Sequence, residues 1–354
     1  MTKRERFEAV LAGNKADRTP LLGGWLAAPG HIQELIGVSD DQYWEDPVAC
    51  GLKASEVLQM DGLIGVFVPS CRDDFRLVDA DSFQTENERI SLEEVLAEID
   101  GMPEPREIDD EESFEREYKL LRQQLVDGQR DAGDMVWMPS QWDLAARASW
   151  YGQYGYENFF CLVGMHQEQM RKLLRAGGAY GRFRSRLLAR AIQEGLYPKA
   201  VLFGEDICTQ RGPMIDPEFL EKYYAPELKR GLEPLLEVGC RPVWHCDGDV
   251  RLLLDMLIDC GVQGLQGFQP ECGMTIESVV QRRTRDGGKL LIFGPLAVTT
   301  ELPVLSPQQI RQKVRDAIEI CDGNADLVLF TANTINPDIP LENIISMYQA
   351  AMEH

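Results

Sequence analysis

The stretch PVWHCDGDV, residues 242–250, ends a short apolar run in His245, Cys246, Asp247, Gly248 and Asp249. The chain has four histidines, and this is the one set among other potential ligands. Side chains alternate across a strand, so Val243, His245 and Asp247 share one face, and Trp244 and Cys246 the other. A His-x-Asp pair on one face can orient an imidazole for proton transfer or place two ligands on one metal. The competing reading is a structural histidine satisfied by a neighbouring carboxylate. Cys246, on the opposite face, is expected to pack against helices, and Gly248 lets the chain turn.

Other apolar runs also end in polar residues. GEDICTQRGPMI (204–215) offers Glu205 and Asp206, which are adjacent. Only one of them can face the same way as His245; the other is expected to act as a cap or a salt-bridge partner. Carboxylates beside His245 suit general acid/base chemistry or a hard metal site. His245, Asp247, Glu205 and Asp206 are therefore the candidate catalytic residues, with His245 and Asp247 the candidate metal ligands. GFQPECGM (267–274) presents Gln269, Glu271 and Cys272, the last more naturally a buried small hydrophobe. In LFTANTINPDIP (329–340), Thr331 and Asn333 share a face. Gly23, Gly24 and Trp25 end an earlier run, and Ser140, Gln141 and Trp142 another. Trp25 either walls an apolar pocket or packs in the core. Trp25, Gln141, Trp142, Gln210, Gln269, Glu271, Thr331 and Asn333 form the candidate substrate-binding group.

Eight apolar runs must position these residues: 19–26, 61–68, 134–140, 199–207, 240–247, 262–269, 289–296 and 326–333. Most are near-continuous and bounded by Gly, Pro or Asp, as expected for parallel strands buried on both faces. Helical patterns lie between them. Ser306 and Pro307 open one over 307–321, Asp216 and Pro217 another over 217–239, and 251–260 has helical spacing. A long helical block is expected over 143–198. Eight strands alternating with helices predict an α/β fold, a (β/α)8 TIM barrel with extra N-terminal helices, as one domain over 1–354. The alternative is an open doubly wound sheet. Residues 93–118 hold twelve acids and two arginines, so 85–130 is expected to be an acidic surface insertion after the second strand, or part of an extra hairpin there. In a barrel the C-terminal strand ends carry the chemistry.

The formal net charge is −22, which disfavours nucleic acid and anionic membranes as partners. Nine scattered cysteines without a C-x-x-C pair indicate a reducing cytoplasm. The start, MTKRERFEAV, is charged and amphipathic rather than a signal segment. No apolar run approaches the ~18 residues needed to span a bilayer. The nucleotide P-loop, dinucleotide, H-E-x-x-H and G-x-S-x-G signatures are absent.

Several segments resemble the uroporphyrinogen decarboxylase superfamily: the opening MTKRERFEAVLAGNKADRTPLLG, GYENFF (155–160) and GEDICTQRGPMIDPEFLEKYYAPELKR (204–230). HCDGDVRLLLDMLIDCGVQGLQGFQPECGM (245–274) is similar to its His-x-Cys-Gly region and following Q-P-E-x-G loop, and NTINPDIPLENIISMYQAAM (333–352) to its closing segment. The likeness spans the chain except the acidic stretch near 85–130.

The resemblance implies one of two chemistries on a shared barrel. One is metal-free decarboxylation of uroporphyrinogen III. The other is methyl transfer by zinc enzymes working with corrinoid proteins, aryl-methyl-ether demethylases among them. The true decarboxylases carry an arginine-bearing R-Q-A-G-R segment where this chain reads GGWLAAPGH, and an F-S-D-type segment where it reads GVFVPSCRDD. Arg72 and Arg76 could contribute to a basic pocket in their place. The coenzyme M methyltransferases use His-x-Cys and a later Cys as zinc ligands. Here those cysteine positions fall at Asp247 and near Asn333, with His245 kept. Oxygen in place of thiolate makes a harder, more Lewis-acidic site, suited to polarising an ether or alcohol oxygen. The expectation is a corrinoid-dependent methyltransferase of the demethylase type, with zinc at His245 and Asp247. Its partners would be a small methylated substrate (a methyl ether or methylamine) and a corrinoid protein. A homodimer is expected. The alternatives are the decarboxylase, or a non-catalytic barrel that binds a corrinoid or tetrapyrrole.

Overall fold

Residues 1–72 and 90–353 are described by the computed structural model. Helix α1 (Lys3–Leu11) starts on a capping box, Thr2 with Glu5, and precedes the first strand. The eight predicted runs each form a parallel strand: β1 (Leu22–Gly23), β2 (Gly62–Leu63), β3 (Val136–Trp137), β4 (Ala200–Gly204), β5 (Arg241–His245), β6 (Gly264–Gln266), β7 (Leu291–Leu296) and β8 (Asp326–Thr331). They build a three-stranded sheet, β1-β2-β3, and a five-stranded sheet, β8-β7-β6-β5-β4. A parallel bridge between Leu21 and Leu329 lies at one seam between them. At the other, the Gln141 N–H donates to the Leu202 carbonyl at 2.9 Å. The strands of the larger sheet are almost wholly buried, as their unbroken apolar sequences require.

Between β1 and β2 lie α2 (Pro29–Ile36), α3 (Asp40–Glu45) and α4 (Pro47–Val57). Strands β1 to β3 are far shorter than the runs that predict them. Gly65 takes φ +130°, which ends the extended run after Ile64. The acid-rich segment departs further from expectation. It is not a hairpin but two helices, α5 (Leu92–Gly101) and α6 (Glu111–Ala132), and α6 leads directly into β3. Val95, Ile99, Tyr118, Leu121 and Leu125 recur at helical spacing and are buried, while the acids face outward. Residues 85–89 of the expected insertion, and Arg76, lie outside the described residues.

The block 143–198 is helical only in part. Helices α7 (Tyr151–Tyr154), α8 (Tyr156–Met165) and α9 (Gln167–Gln193) occupy its later portion, and 143–150 is a loop. Ala145 in that loop has φ +63° and is fully buried. It sits where α9 and α11 (Ala225–Glu237, after the short α10, Pro217–Phe219) present glycines. A Cβ on Gly181 would lie 1.8 Å from the Ala145 carbonyl oxygen, and one on Gly231 2.5 Å from it. The two glycines therefore let the loop wedge between two helices. A π-helical turn, Leu220–Tyr224, interrupts the predicted 217–239 helix. The 251–260 helix is α12 (Leu254–Cys260), entered through a 3-10 turn. Beyond β6, α13 (Ile276–Val279) precedes β7, and α14 (Pro307–Cys321) has the predicted Ser306 cap, completed as a box by Gln309. Helix α15 (Leu341–Met352) closes the chain order. No helix of the described residues is long and apolar enough to cross a membrane.

Candidate metal centre at the strand ends

His245 is the last residue of β5 and stands in register with Gly204 on β4 and Gln266 on β6. A Cβ on Gly204 would meet the His245 carbonyl oxygen at 2.1 Å, so only glycine leaves β5 this close. The His245 side chain is 9% exposed. Its ring is flanked edge-on by two indoles, Trp25 at 5.9 Å and Trp142 at 5.5 Å between centroids. Trp25 is itself buried against Phe330, at 4.8 Å, whereas Trp142 is 43% exposed. Nδ1 of His245 contacts Oε1 of Gln266, and Nε2 lies 3.6 Å from Oδ1 of Asp206.

After His245 the chain turns at Gly248, φ +88°, where any Cβ would strike the Thr209 carbonyl at 2.5 Å. This turn folds Asp247 back beside His245. The Asp247 N–H donates to Oδ1 of Asp206 at 2.8 Å, and Oδ2 of Asp247 accepts from Nδ2 of Asn333 at 2.8 Å. Oδ1 of Asp247 is buried without a hydrogen-bond partner. One ligand atom from each of Asp206, His245 and Asp247 lies within 4.8 Å of the others, the only such three-residue group among the described residues. Neither carboxylate is ion-paired with a lysine or arginine among the described residues. Burial, reinforced by Asp206 and Glu271, raises the Asp247 carboxyl above the usual range, against the pull of His245 and the Asn333 hydrogen bond. Two uncompensated carboxylates with one imidazole form a site that attracts a cation, and these three residues can hold a metal ion.

Glu205 points elsewhere, as its adjacency to Asp206 demands. Its carboxylate accepts from the Ala148 and Ser149 N–H groups, the Ser149 hydroxyl and the Tyr224 hydroxyl at 3.0 Å. Burial raises its carboxyl, opposed by those four donors. With its lone pairs occupied, it clamps the 143–150 loop to β4.

The remaining predicted residues divide. Asn333 joins the cluster through Asp247. The Gln269 Oε1 accepts from the Gly248 N–H at 2.7 Å and so braces the turn. Glu271 accepts from the hydroxyls of Thr299 and Thr300. Thr331 is fully buried, its hydroxyl unpartnered and its carbonyl accepting from Gln266. The Gln141 amide donates to its near neighbour, the Pro139 carbonyl. Gln210 is exposed at the turn between Cys208–Thr209 and Gly212–Pro213, a small antiparallel ladder. Cys246 is buried and donates to the Asp247 carbonyl at 3.1 Å, and Cys272 is buried too. Arg72 is engaged by Asp40 and Asp41. Gln266, Ser149 and Tyr224 were not singled out from sequence. The one available signal was Gln266 itself, a polar residue inside the apolar run VQGLQGFQ.

Fold and site together define a parallel α/β protein with a candidate metal centre at the C-terminal ends of its strands. No family model matches the chain, and no curated protein matches it. Among solved structures it is similar to a methyltransferase from Methanosarcina mazei, with a TM-score of 0.63 and 17% identity, covering 100% of this chain and 99% of that chain. At that identity the likeness shows a common fold.

Proposed function

We propose that this chain is a methyltransferase that moves a methyl group from a small methylated donor, of methyl ether or methylamine type, to a corrinoid protein. The observation that carries the reading is the Asp206–His245–Asp247 cluster, set at the strand ends of a fold shared over its whole length with a methyltransferase. The eight strands are taken as a closed (β/α)8 barrel in one domain over 1–354, supported by the backbone contacts at both seams. A reducing cytoplasm belongs to the same reading. A homodimer is part of the same proposal.

The donor set fits a divalent ion such as zinc. It offers hard oxygen and imidazole ligands, an orphaned buried oxygen on Asp247, and, among the described residues, no lysine or arginine paired with either carboxylate. Asp206, His245 and Asp247 would hold the metal, and Asn333 and the Asp247 N–H orient the two carboxylates. When bound, the metal supplies Lewis-acid polarisation of the donor's heteroatom, and the corrinoid supplies the nucleophile that takes the methyl group. Trp25 and Trp142 wall the cluster and exclude water from one side of His245. In this reading Gln141, Gln210, Gln269 and Glu271 border the donor's path, and the fully buried Thr331 supports Gln266. A decarboxylase acting on a polycarboxylate would need a basic mouth. The residues converging here are acidic, and Arg72 is already paired.

The test is metal content on protein purified without a metal-affinity tag, beside His245→Ala and Asp247→Ala. The expected result is about one zinc per chain, lost in both variants. It should be accompanied by methylation of a reduced corrinoid by the wild type alone. A wild type that takes no metal after add-back, or variants that methylate at the wild-type rate, would overturn the proposal.

A further inference from the structure

Register places His245 and Gln266 side by side on adjacent parallel strands, so both side chains leave the sheet on the same face. Gln266 is 4% exposed and its amide is fully engaged. Its nitrogen lies 2.7 Å from the Thr331 carbonyl and 2.7 Å from the Ala332 carbonyl. Carbonyl oxygens only accept, so the amide NH2 must be there, and the amide oxygen must face Nδ1 of His245. An oxygen acceptor requires a proton on Nδ1. In a neutral imidazole the lone pair then resides on Nε2, the nitrogen that faces Asp206.

We propose that Gln266 is a positioning residue that fixes His245 as the Nδ1–H tautomer and so aims the Nε2 lone pair into the space shared with Asp206 and Asp247. A ring of hydrogen bonds links the three strand ends involved. Gln266 joins β5 to the carbonyls of Thr331 and Ala332 at the end of β8, and the next residue, Asn333, returns to Asp247. The ring sets the distance between Nε2 and the carboxylates before any cation arrives. The consequence for cation binding rests on the metal reading above; the tautomer assignment does not.

The chain's four histidines make selective 15N-histidine labelling practical, with His245→Asn identifying the signal. In the metal-free wild type, His245 is expected to show a protonated Nδ1 and an unprotonated Nε2. Gln266→Leu should give averaged nitrogen shifts and bind Zn2+ about 10–100-fold more weakly. An Nε2–H or mixed tautomer in the wild type overturns the inference, as does a folded Gln266→Leu with an unchanged spectrum. If Gln266→Leu does not fold, the wild-type spectrum still decides. A wild type showing Nδ1–H that takes no Zn2+ sinks the metal reading and leaves the tautomer standing.

Discussion

Asp247→Asn changes one charge and almost no shape, which makes it the sharpest probe of the cluster. Its ligand oxygen lies within 4.8 Å of those of Asp206 and His245, so a shared ion sits close to all three. Each unit of the ion's charge at 4 Å from the carboxylate contributes about 4 kcal/mol at an effective dielectric near 20. Relief of the carboxylate's own desolvation and the remaining amide oxygen offset part of that loss. About 2.7 kcal/mol should survive, which is roughly 100-fold in cation affinity. The metal-free protein should respond in the opposite direction. Oδ1 of Asp247 is buried without a hydrogen-bond partner, and no lysine or arginine among the described residues is ion-paired with it. Such a group costs about 1–3 kcal/mol. Asn333 can still donate to an amide oxygen at position 247. The variant should therefore melt at the same temperature as the wild type, or higher, in chelator at neutral pH. Zn2+ affinity comes from competition with a chromophoric chelator, and stability from thermal unfolding in EDTA, which removes stabilisation by ligand. Affinity within about threefold of wild type, or a loss of more than about 1 kcal/mol of metal-free stability, would mean that Asp247 is a structural carboxylate.

Two further substitutions separate the cluster from its supports. Glu205→Gln should leave zinc content unchanged while freeing the 143–150 loop. Amide exchange at Ala148 and Ser149, both now held by the carboxylate, should quicken, and loss of zinc would instead place Glu205 in the metal site. Asp61→Ala tests the opposite ends of the strands. Asp61 is fully buried and accepts from Arg6 at 2.6 Å, Arg18 at 2.7 Å and the Leu21 N–H at 2.8 Å. Removing it leaves the largely buried Arg18 without a carboxylate and Arg6 with Asp17 alone, and should cost about 3 kcal/mol in urea unfolding, and a cost below about 1 kcal/mol would discount the network.

The elements legible in the sequence are those whose signals are local. Ser306 with Pro307 fixed the start of α14, and the unbroken apolar runs marked all eight strands. Period-2 alternation over 243–247 anticipates His245 and Asp247 on one side, although β5 ends at His245 and the Gly248 turn is what folds Asp247 back, and the adjacency of Glu205 and Asp206 anticipates their divergence. Features decided by distant partners were not legible. The 143–150 loop exists because glycines on α9 and α11 leave a seat for Ala145, and nothing within the loop announces those glycines. Helices α5 and α6 were hidden by their charge: a count of acids obscured the Val95–Ile99 and Tyr118–Leu121–Leu125 stripes beneath. Gln266 was invisible for the same kind of reason. Its importance depends on the β5–β6 register, which pairs it with a histidine 21 residues away.

The character of the site follows from where His-Cys-Asp falls on the strand pleat. With His245 turned toward Trp25 and Gln266, the next residue must face away, and Cys246 is buried on that other side with its thiol against the Asp247 carbonyl. The only sulfur in the motif is therefore excluded from the cluster by one position. The residue that does return to the face is a carboxylate, and the Gly248 turn brings it within hydrogen-bond reach of both Asp206 and Asn333. Nitrogen and oxygen are thus the donors presented. A hard set of this kind favours a Lewis-acidic ion that polarises a heteroatom over one that stores a soft thiolate. Just past β4, Glu205 turns in to brace a loop, while the half-exposed Asp206 points the other way and completes the donor set.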